Sequence, residues 1–132
     1  MPSPLPAGLA RLADRLDVDT RSWLAHGRLE LRVDGHPRVT LRRAPRDGLD
    51  LEARLGQLPV PAMQREALLD RVLLRVTAHA ANRTGAPVLS ADGRELLLQA
   101  RLHDDRPHAV EEGFEAFLND LDYWTAVVRE AR

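Results

Sequence analysis

Apolar and polar residues alternate one by one in three consecutive segments of the first half of the chain, at 29–33, 39–42 and 49–55. Neighbouring side chains of a β-strand point to opposite faces, so each segment predicts a strand with one apolar and one charged face. Asp-Gly pairs at 34–35 and 47–48 separate the segments and favour tight turns, because glycine tolerates a positive φ. We therefore expect an antiparallel meander whose apolar face is covered by other elements.

Helical periodicity predicts the elements that cover the apolar face of this sheet. Leucines recur every three or four residues over 5–16, which places them on one face of an opening helix. The same spacing predicts a long helix over 61–81 and a closing helix over 110–128, and the Asp-Gly pair at 92–93 predicts a hairpin between them. The expected order is α-β-β-β-α-β-β-α, an α+β fold in which helices pack on the apolar face of an antiparallel sheet.

Composition limits the possible classes of protein. The 132 residues are enough for a single domain over 1–132, with 44% hydrophobic and 30% charged residues as in globular chains. The lack of cysteine excludes disulfides, thiolate zinc sites and cysteine nucleophiles. The net charge of −1 disfavours non-specific nucleic-acid binding as the main function. The chain begins with no secretory signal and contains no apolar run of membrane-spanning length, so we expect a cytoplasmic protein.

The long central helix carries more apolar residues than one buried face requires. Its stripe includes Met63, Leu68, Leu69, Val72, Leu73 and Val76, and Ala67 and Leu74 widen it. A helix that is apolar on two sides is expected to be buried on two sides. The sequence therefore favours a subunit interface, with an ordinary core as the alternative.

Few residue patterns indicate catalysis. The sequence contains no G-x-S-x-G nucleophile motif and no glycine-rich phosphate loop. His103 and His108 flank Asp104 and Asp105, but without the regular spacing of metal ligands, so we interpret this segment as a solvated turn. The other histidines are interpreted as surface residues: His26, His36 and His79. We expect no enzyme activity, no cofactor and no metal.

Arginine is concentrated in the segment from Arg38 to Arg46, which holds four arginines in nine residues. One interpretation is a surface for nucleic acid or another anionic partner. No aromatic residues interleave with the arginines, although single-strand binding surfaces usually stack bases on aromatic rings. The other interpretation is a solvated sheet face that is neutralised by acids on neighbouring strands.

The order of elements resembles that of the small bacterial type III secretion chaperones that serve individual effectors or translocated proteins. The resemblance covers roughly residues 5–130 and rests on the element order, the length and three local patterns. These are the opening leucine helix Leu5 to Leu16, the hairpins around Asp34-Gly35 and Asp92-Gly93, and the closing helix with Phe114-Glu115-Ala116-Phe117-Leu118, Tyr123-Trp124 and Val127-Val128.

This resemblance implies a cytoplasmic homodimer without catalytic activity or cofactors. It implies binding of an extended N-terminal segment of a secreted effector in bacterial virulence, with the ATPase of the secretion system as a further partner. The expected partner contacts are Leu5, Leu9, Leu12, Val39 and Leu41. The expected dimer contacts are Leu69, Val72, Leu73, Val76 and Val88. Two alternatives stay open: a non-catalytic adaptor or regulator of the same fold, and a nucleic-acid-binding regulator that uses the Arg38–Arg46 strand.

Overall fold

The computed structural model of the protein describes residues 5–45, 48–79 and 85–130. Its elements in chain order are α1 (Ala7–Arg15), α2 (Arg21–His26), β1 (Arg28–Leu31), β2 (Val39–Arg43), β3 (Leu49–Gln57), α3 (Ala62–His79), β4 (Ala86–Leu89), β5 (Glu95–Leu102) and α4 (Pro107–Glu130). The strands form one sheet in the order β1-β2-β3-β5-β4, and all neighbouring strands are antiparallel. The predicted α+β fold with an antiparallel sheet is confirmed.

The register of the sheet keeps its apolar side chains on one face. Leu41 of β2 lies opposite both Leu29 of β1 and Leu51 of β3. Gly35 and Gly93 have positive φ angles of 82° and 72° in two of the three predicted Asp-Gly turns. Asp47 of the third turn lies outside the described residues. A shift of one residue would turn the leucines to solvent, so their burial specifies this register.

Helix α4 covers the apolar face of the sheet, and α1 packs against α4. The buried stripe of α4 contains the predicted residues Val110, Phe114, Phe117, Leu121, Trp124 and Val128. Leu9 and Leu12 of α1 join the same core. Each large apolar side chain that is fully buried contributes roughly 1.5–3 kcal/mol relative to exposure, so this layer is the main source of stability.

Four side chains that were expected to contact a partner belong to this core. Leu9, Leu12, Val39 and Leu41 are each at most 4% exposed. The apolar stripes do identify the apolar face of each element, but that face is turned toward the interior, where α1 packs against α4 and α4 against the sheet. Very little of their surface is accessible to a partner in this conformation. Leu5 is partly buried two residues before α1, and its contact with a partner stays a prediction.

The connection between α1 and β1 contains a helix, α2, that the sequence pattern did not predict. Its six residues make fewer than two turns, so no apolar stripe can repeat along it, and only Trp23 is buried. The guanidinium carbon of Arg43 lies 5.9 Å from the centroid of the Trp23 ring, a distance typical of cation–π contacts. Gly27 ends α2 in the left-handed conformation, with a φ of 65°.

A buried carboxylate fixes the backbone at the start of β4. Asp120 of α4 is 4% exposed, and its Oδ2 accepts a hydrogen bond of 2.8 Å from the N–H of Gly85. Because both groups are shielded from water, the loss of one partner leaves the other without full solvation. This contact therefore ties the closing helix to the edge of the sheet.

Replacing Asp120 by alanine should lower the free energy of unfolding by about 1–3 kcal/mol, because the N–H of Gly85 loses its buried acceptor. Urea denaturation followed by circular dichroism measures this change. Asn119→Ala, at an exposed position of the same helix, should change the stability by less than about 0.5 kcal/mol. Equal stability of the two variants would contradict the role of Asp120.

Candidate partner-binding surfaces

Two of the four side chains that suggested metal chemistry in the sequence, Asp104 and His108, make other contacts. Within the three described ranges, no group of three or more His, Asp or Glu residues could hold a metal ion. Asp104 accepts hydrogen bonds from the guanidinium and the backbone N–H of Arg106, and these lower the pKa of Asp104 to about 2. His108 lies 3.3 Å from Glu112, one helical turn further along α4. The arrangement agrees with a solvated turn before α4.

His36 is less exposed than the sequence suggested. Its side chain is only 19% exposed, and its Nε2 lies 3.0 Å from Oδ1 of Asp122, which links the β1–β2 turn to α4. The expectation of a surface histidine is wrong here, because the turn folds back against the closing helix. His26 is exposed at the end of α2, as expected. The side chain of His79 lies outside the described residues.

Helix α3 has apolar side chains on two sides, and residues 5–45, 48–79 and 85–130 cover only one of them. Leu68 and Val72 are buried against the core. Met63, Leu73 and Leu74 are between 65% and 85% exposed. Large apolar side chains that are exposed together on one element mark an interaction site in a soluble protein. We call the uncovered side, Met63, Leu73 and Leu74, the outer α3 surface.

The five predicted dimer contacts lie in different environments. Val72 is buried, Leu73 is exposed, and Leu69, Val76 and Val88 are half-buried. Strand β4, which carries Val88, is in contact with α3, so the fold brings the two predicted elements together. Met63 and Leu74 are more exposed than any of the five. The helical period placed them in the apolar stripe, but only the fold shows which side of the stripe is uncovered.

A groove of about 440 Å³ lies between the end of α1 and the start of α4. Its apolar lining consists of Leu12, Leu16, Val33, Phe114 and Leu118. Its charged rim includes Arg15 and Glu111, whose side chains lie 3.7 Å apart. The leucine stripe of the opening helix predicted partner contacts in this region, but at Leu9 and Leu12. The side chains that remain accessible are the half-buried Leu16 and Leu118.

The two edges of the sheet differ in their ability to accept another strand. Strand β4 forms one edge and contains Pro87, which has no N–H to donate. Proline in an edge strand is a common way to prevent further strand pairing. Strand β1 forms the opposite edge over Arg28–Leu31 and contains no proline. The β1 edge is therefore the better acceptor for an extended chain.

The arginines of the Arg38–Arg46 segment do not form a continuous patch. Arg38 lies 3.2 Å from Glu30 on the uncovered face of the sheet, whereas Arg43 points toward Trp23 on the covered face. Arg46 lies outside the described residues. Alternation along the strand therefore divides the segment between two faces. Among its described residues, Arg42 is an exposed arginine with no acidic group within 4.0 Å.

The comparisons with known proteins agree with this architecture. The sequence model of the Tir chaperone protein (CesT) family matches residues 8–124. The chain therefore belongs to the Tir chaperone protein (CesT) family, and the type III secretion chaperone resemblance is confirmed. No curated protein matches the sequence significantly. None of the described helices combines the length and apolar character needed to cross a membrane.

Three solved structures share the fold. A chain of the ExsC–ExsE complex is 19% identical, with 94% of this chain and 90% of that chain covered and a TM-score of 0.68. A chain of the HopA1–SchA chaperone–effector complex is 15% identical, with 92% and 91% covered and a TM-score of 0.62. A chain of the heterodimeric ExoU–SpcU complex, from the type III secretion system of Pseudomonas aeruginosa, is 17% identical, with 94% and 97% covered and a TM-score of 0.60.

The turn before α4 should contribute to acid sensitivity. The folded pKa of Asp104 is below its ordinary value of 3.8, so its stabilising effect is present above that pH and is lost as the pH falls toward 2. The melting temperature of Asp104→Asn, measured by circular dichroism, should therefore fall less than that of the wild type over this pH range. Asp105→Asn, in the same turn, should keep the wild-type slope. An unchanged slope in Asp104→Asn would contradict this assignment.

Proposed function

We propose that the protein is a type III secretion chaperone that binds an extended N-terminal segment of one secreted effector and keeps it soluble and competent for export. The observation that carries this proposal is the family match over residues 8–124. The fold shared with a chaperone–effector complex supports it. The proposal places the protein in the bacterial cytoplasm and includes no catalytic step and no cofactor.

The chaperone acts as a homodimer in this proposal, with α3 and β4 at the interface. The support is the outer α3 surface, where Met63, Leu73 and Leu74 would otherwise stay in contact with water. A second copy that packs α3 against α3 buries the same side chains on both subunits, as a two-fold interface requires. Each buried leucine contributes roughly 1.5–3 kcal/mol to association before the entropic cost.

The client binds at two neighbouring places on each subunit. The β1 edge offers unpaired backbone groups to an extended segment, and the α1–α4 groove offers the half-buried Leu16 and Leu118 to apolar client side chains. A disordered segment loses conformational entropy on binding, so a preformed surface lowers the total cost. The ATPase of the secretion system is a later partner in this proposal, with no particular surface assigned to it.

A non-catalytic adaptor of the same fold is the second candidate. It would use the same dimer but bind a folded partner. A nucleic-acid-binding regulator receives less support, because Arg38 is paired with Glu30 and Arg43 faces Trp23 instead of joining a patch.

Affinity capture from the native cytoplasm tests the proposed function. We expect one dominant partner that limited proteolysis finds protected only over an N-terminal segment. Leu118→Glu, which places a charge in the groove, should reduce capture about tenfold or more, because the charge must be desolvated against apolar client side chains. Leu24→Glu, at an exposed leucine of α2, should capture as much as the wild type. Protection of an entire folded partner would instead support the adaptor.

The dimer interface is tested by Leu73→Asp. Because Leu73 is 65% exposed in the single chain, this change leaves the core intact but places a charge in the proposed interface. We expect the dissociation constant of the dimer to rise about a hundredfold or more, with monomers at micromolar concentration in sedimentation equilibrium. Leu24→Asp is the matched control and should remain dimeric. A dimer of unchanged affinity in Leu73→Asp would place the interface elsewhere.

A further inference from the structure

Two arginines lie directly opposite each other at the β1 edge. Arg28 of β1 and Arg42 of β2 are register partners, so their side chains share the uncovered face of the sheet. Both are exposed, and neither has an acidic partner within 4.0 Å in the described part of the chain. Like charges at directly opposed positions destabilise a sheet. The free chain therefore keeps an unfavourable pair next to its open edge.

The neighbouring acids, including Asp50 opposite Arg42, offset this pair only in part, because each also lies beside another arginine. Glu30 lies 3.2 Å from Arg38, and Oδ1 of Asp50 accepts a 2.8 Å hydrogen bond from Arg101. Across this row of the sheet the order is Arg28, Arg42, Asp50 and Arg101. The end of the row nearest the open edge is thus positive.

We propose that the β1 edge selects a client strand that carries an acidic side chain at the position paired with Arg28. This inference rests on the proposed function, since it specifies the chemistry of the segment that adds to β1. A residue that pairs with Arg28 projects onto the same uncovered face, whether the added strand is parallel or antiparallel. Its carboxylate then extends the row next to Arg28 and offsets the repulsion from Arg42.

The same register specifies the residues on either side of the acid. Both project onto the covered face, one beside the row that contains Leu29 and Leu41 and the other beside Gly27, which ends α2. An apolar side chain at the position beside Leu29 continues the core at its edge. The selected segment therefore has an apolar residue next to the acid, and the charged pair sets its register because a shift by one residue would place the acid against the leucines.

A peptide fits this surface better than a nucleic acid. The described aromatic residues lie on α2 and α4, away from the uncovered sheet face, so this face offers no ring for base stacking. The acids Asp50 and Glu52 share the face and would repel a phosphate backbone. Two arginines are sufficient for one carboxylate but are few for a chain of phosphates.

Binding of two synthetic peptides tests the proposal. The peptides have the same alternating apolar sequence and differ only in a central outer-face residue, which is glutamate in one and lysine in the other. Fluorescence anisotropy should show that the wild-type protein binds the glutamate peptide roughly three- to fivefold more tightly, and that added salt reduces this preference. Arg28→Glu should reverse the preference, and Arg42→Glu should reduce it. Arg94→Glu, which changes the net charge equally in the β4–β5 turn, should keep it.

Stability of the free protein provides a readout that needs no ligand. Arg28→Thr should raise the melting temperature at low salt by about 1–3 °C, because it removes the repulsion from Arg42 while keeping a residue that favours strands. A lower melting temperature in this variant would overturn the proposal, since it would mean that Arg28 makes a favourable contact in the free chain.

Three further outcomes would overturn the selection of an acidic strand. These are equal binding of the two peptides, no binding of either peptide at millimolar concentration, and binding of a single-stranded oligonucleotide that Arg28→Glu abolishes. If affinity capture still yields a client that is protected over its N-terminal segment, such an outcome removes only this proposal. If no client is captured, the proposed function itself fails.

Discussion

The burial of one face of the sheet by the closing helix is the interaction on which the rest of the structure depends. Phe117, Leu121 and Trp124 of α4 are almost fully buried, together with Leu51 and Leu98 of the sheet. This contact fixes the strand register, because any shift would exchange the covered and uncovered faces. It also determines what is left for partners: the other sheet face, the strand edges and one side of α3.

The central helix has a different relation to the core. Leu68 and Val72 attach α3 to the domain, but Leu73 and Leu74 point away from it. A single chain gains nothing from these exposed leucines, and they increase the risk of non-specific association. They become favourable only when another surface covers them, which is why stability and assembly are linked in the proposed dimer.

The edges of the sheet show how one fold can both prevent and permit strand addition. At β4, Pro87 removes a backbone donor, whereas at β1 the backbone is intact and Arg28 and Arg42 place positive charge beside it. Charge at an open edge disfavours random pairing between copies of the same chain, because two such edges repel each other. The same charge favours a strand that brings an acid to it. Protection from aggregation and recognition of a client can therefore use the same residues.

The sequence by itself determined the α+β class, the meander, the Asp-Gly turns at Gly35 and Gly93 and the buried stripe of α4. Alternation in strands and periodicity in helices report directly which face of an element is apolar. It did not show α2, whose six residues are too few to repeat a stripe. The periodicity of apolar residues does not show what covers an apolar face. Leu9, Leu12, Val39 and Leu41 were therefore predicted as partner contacts, although they are core residues. Tertiary structure decided which side of α3 stays uncovered and where Leu16 and Leu118 border a groove. It also decided that Arg28 meets Arg42, since contacts between distant residues depend on strand register and helix packing.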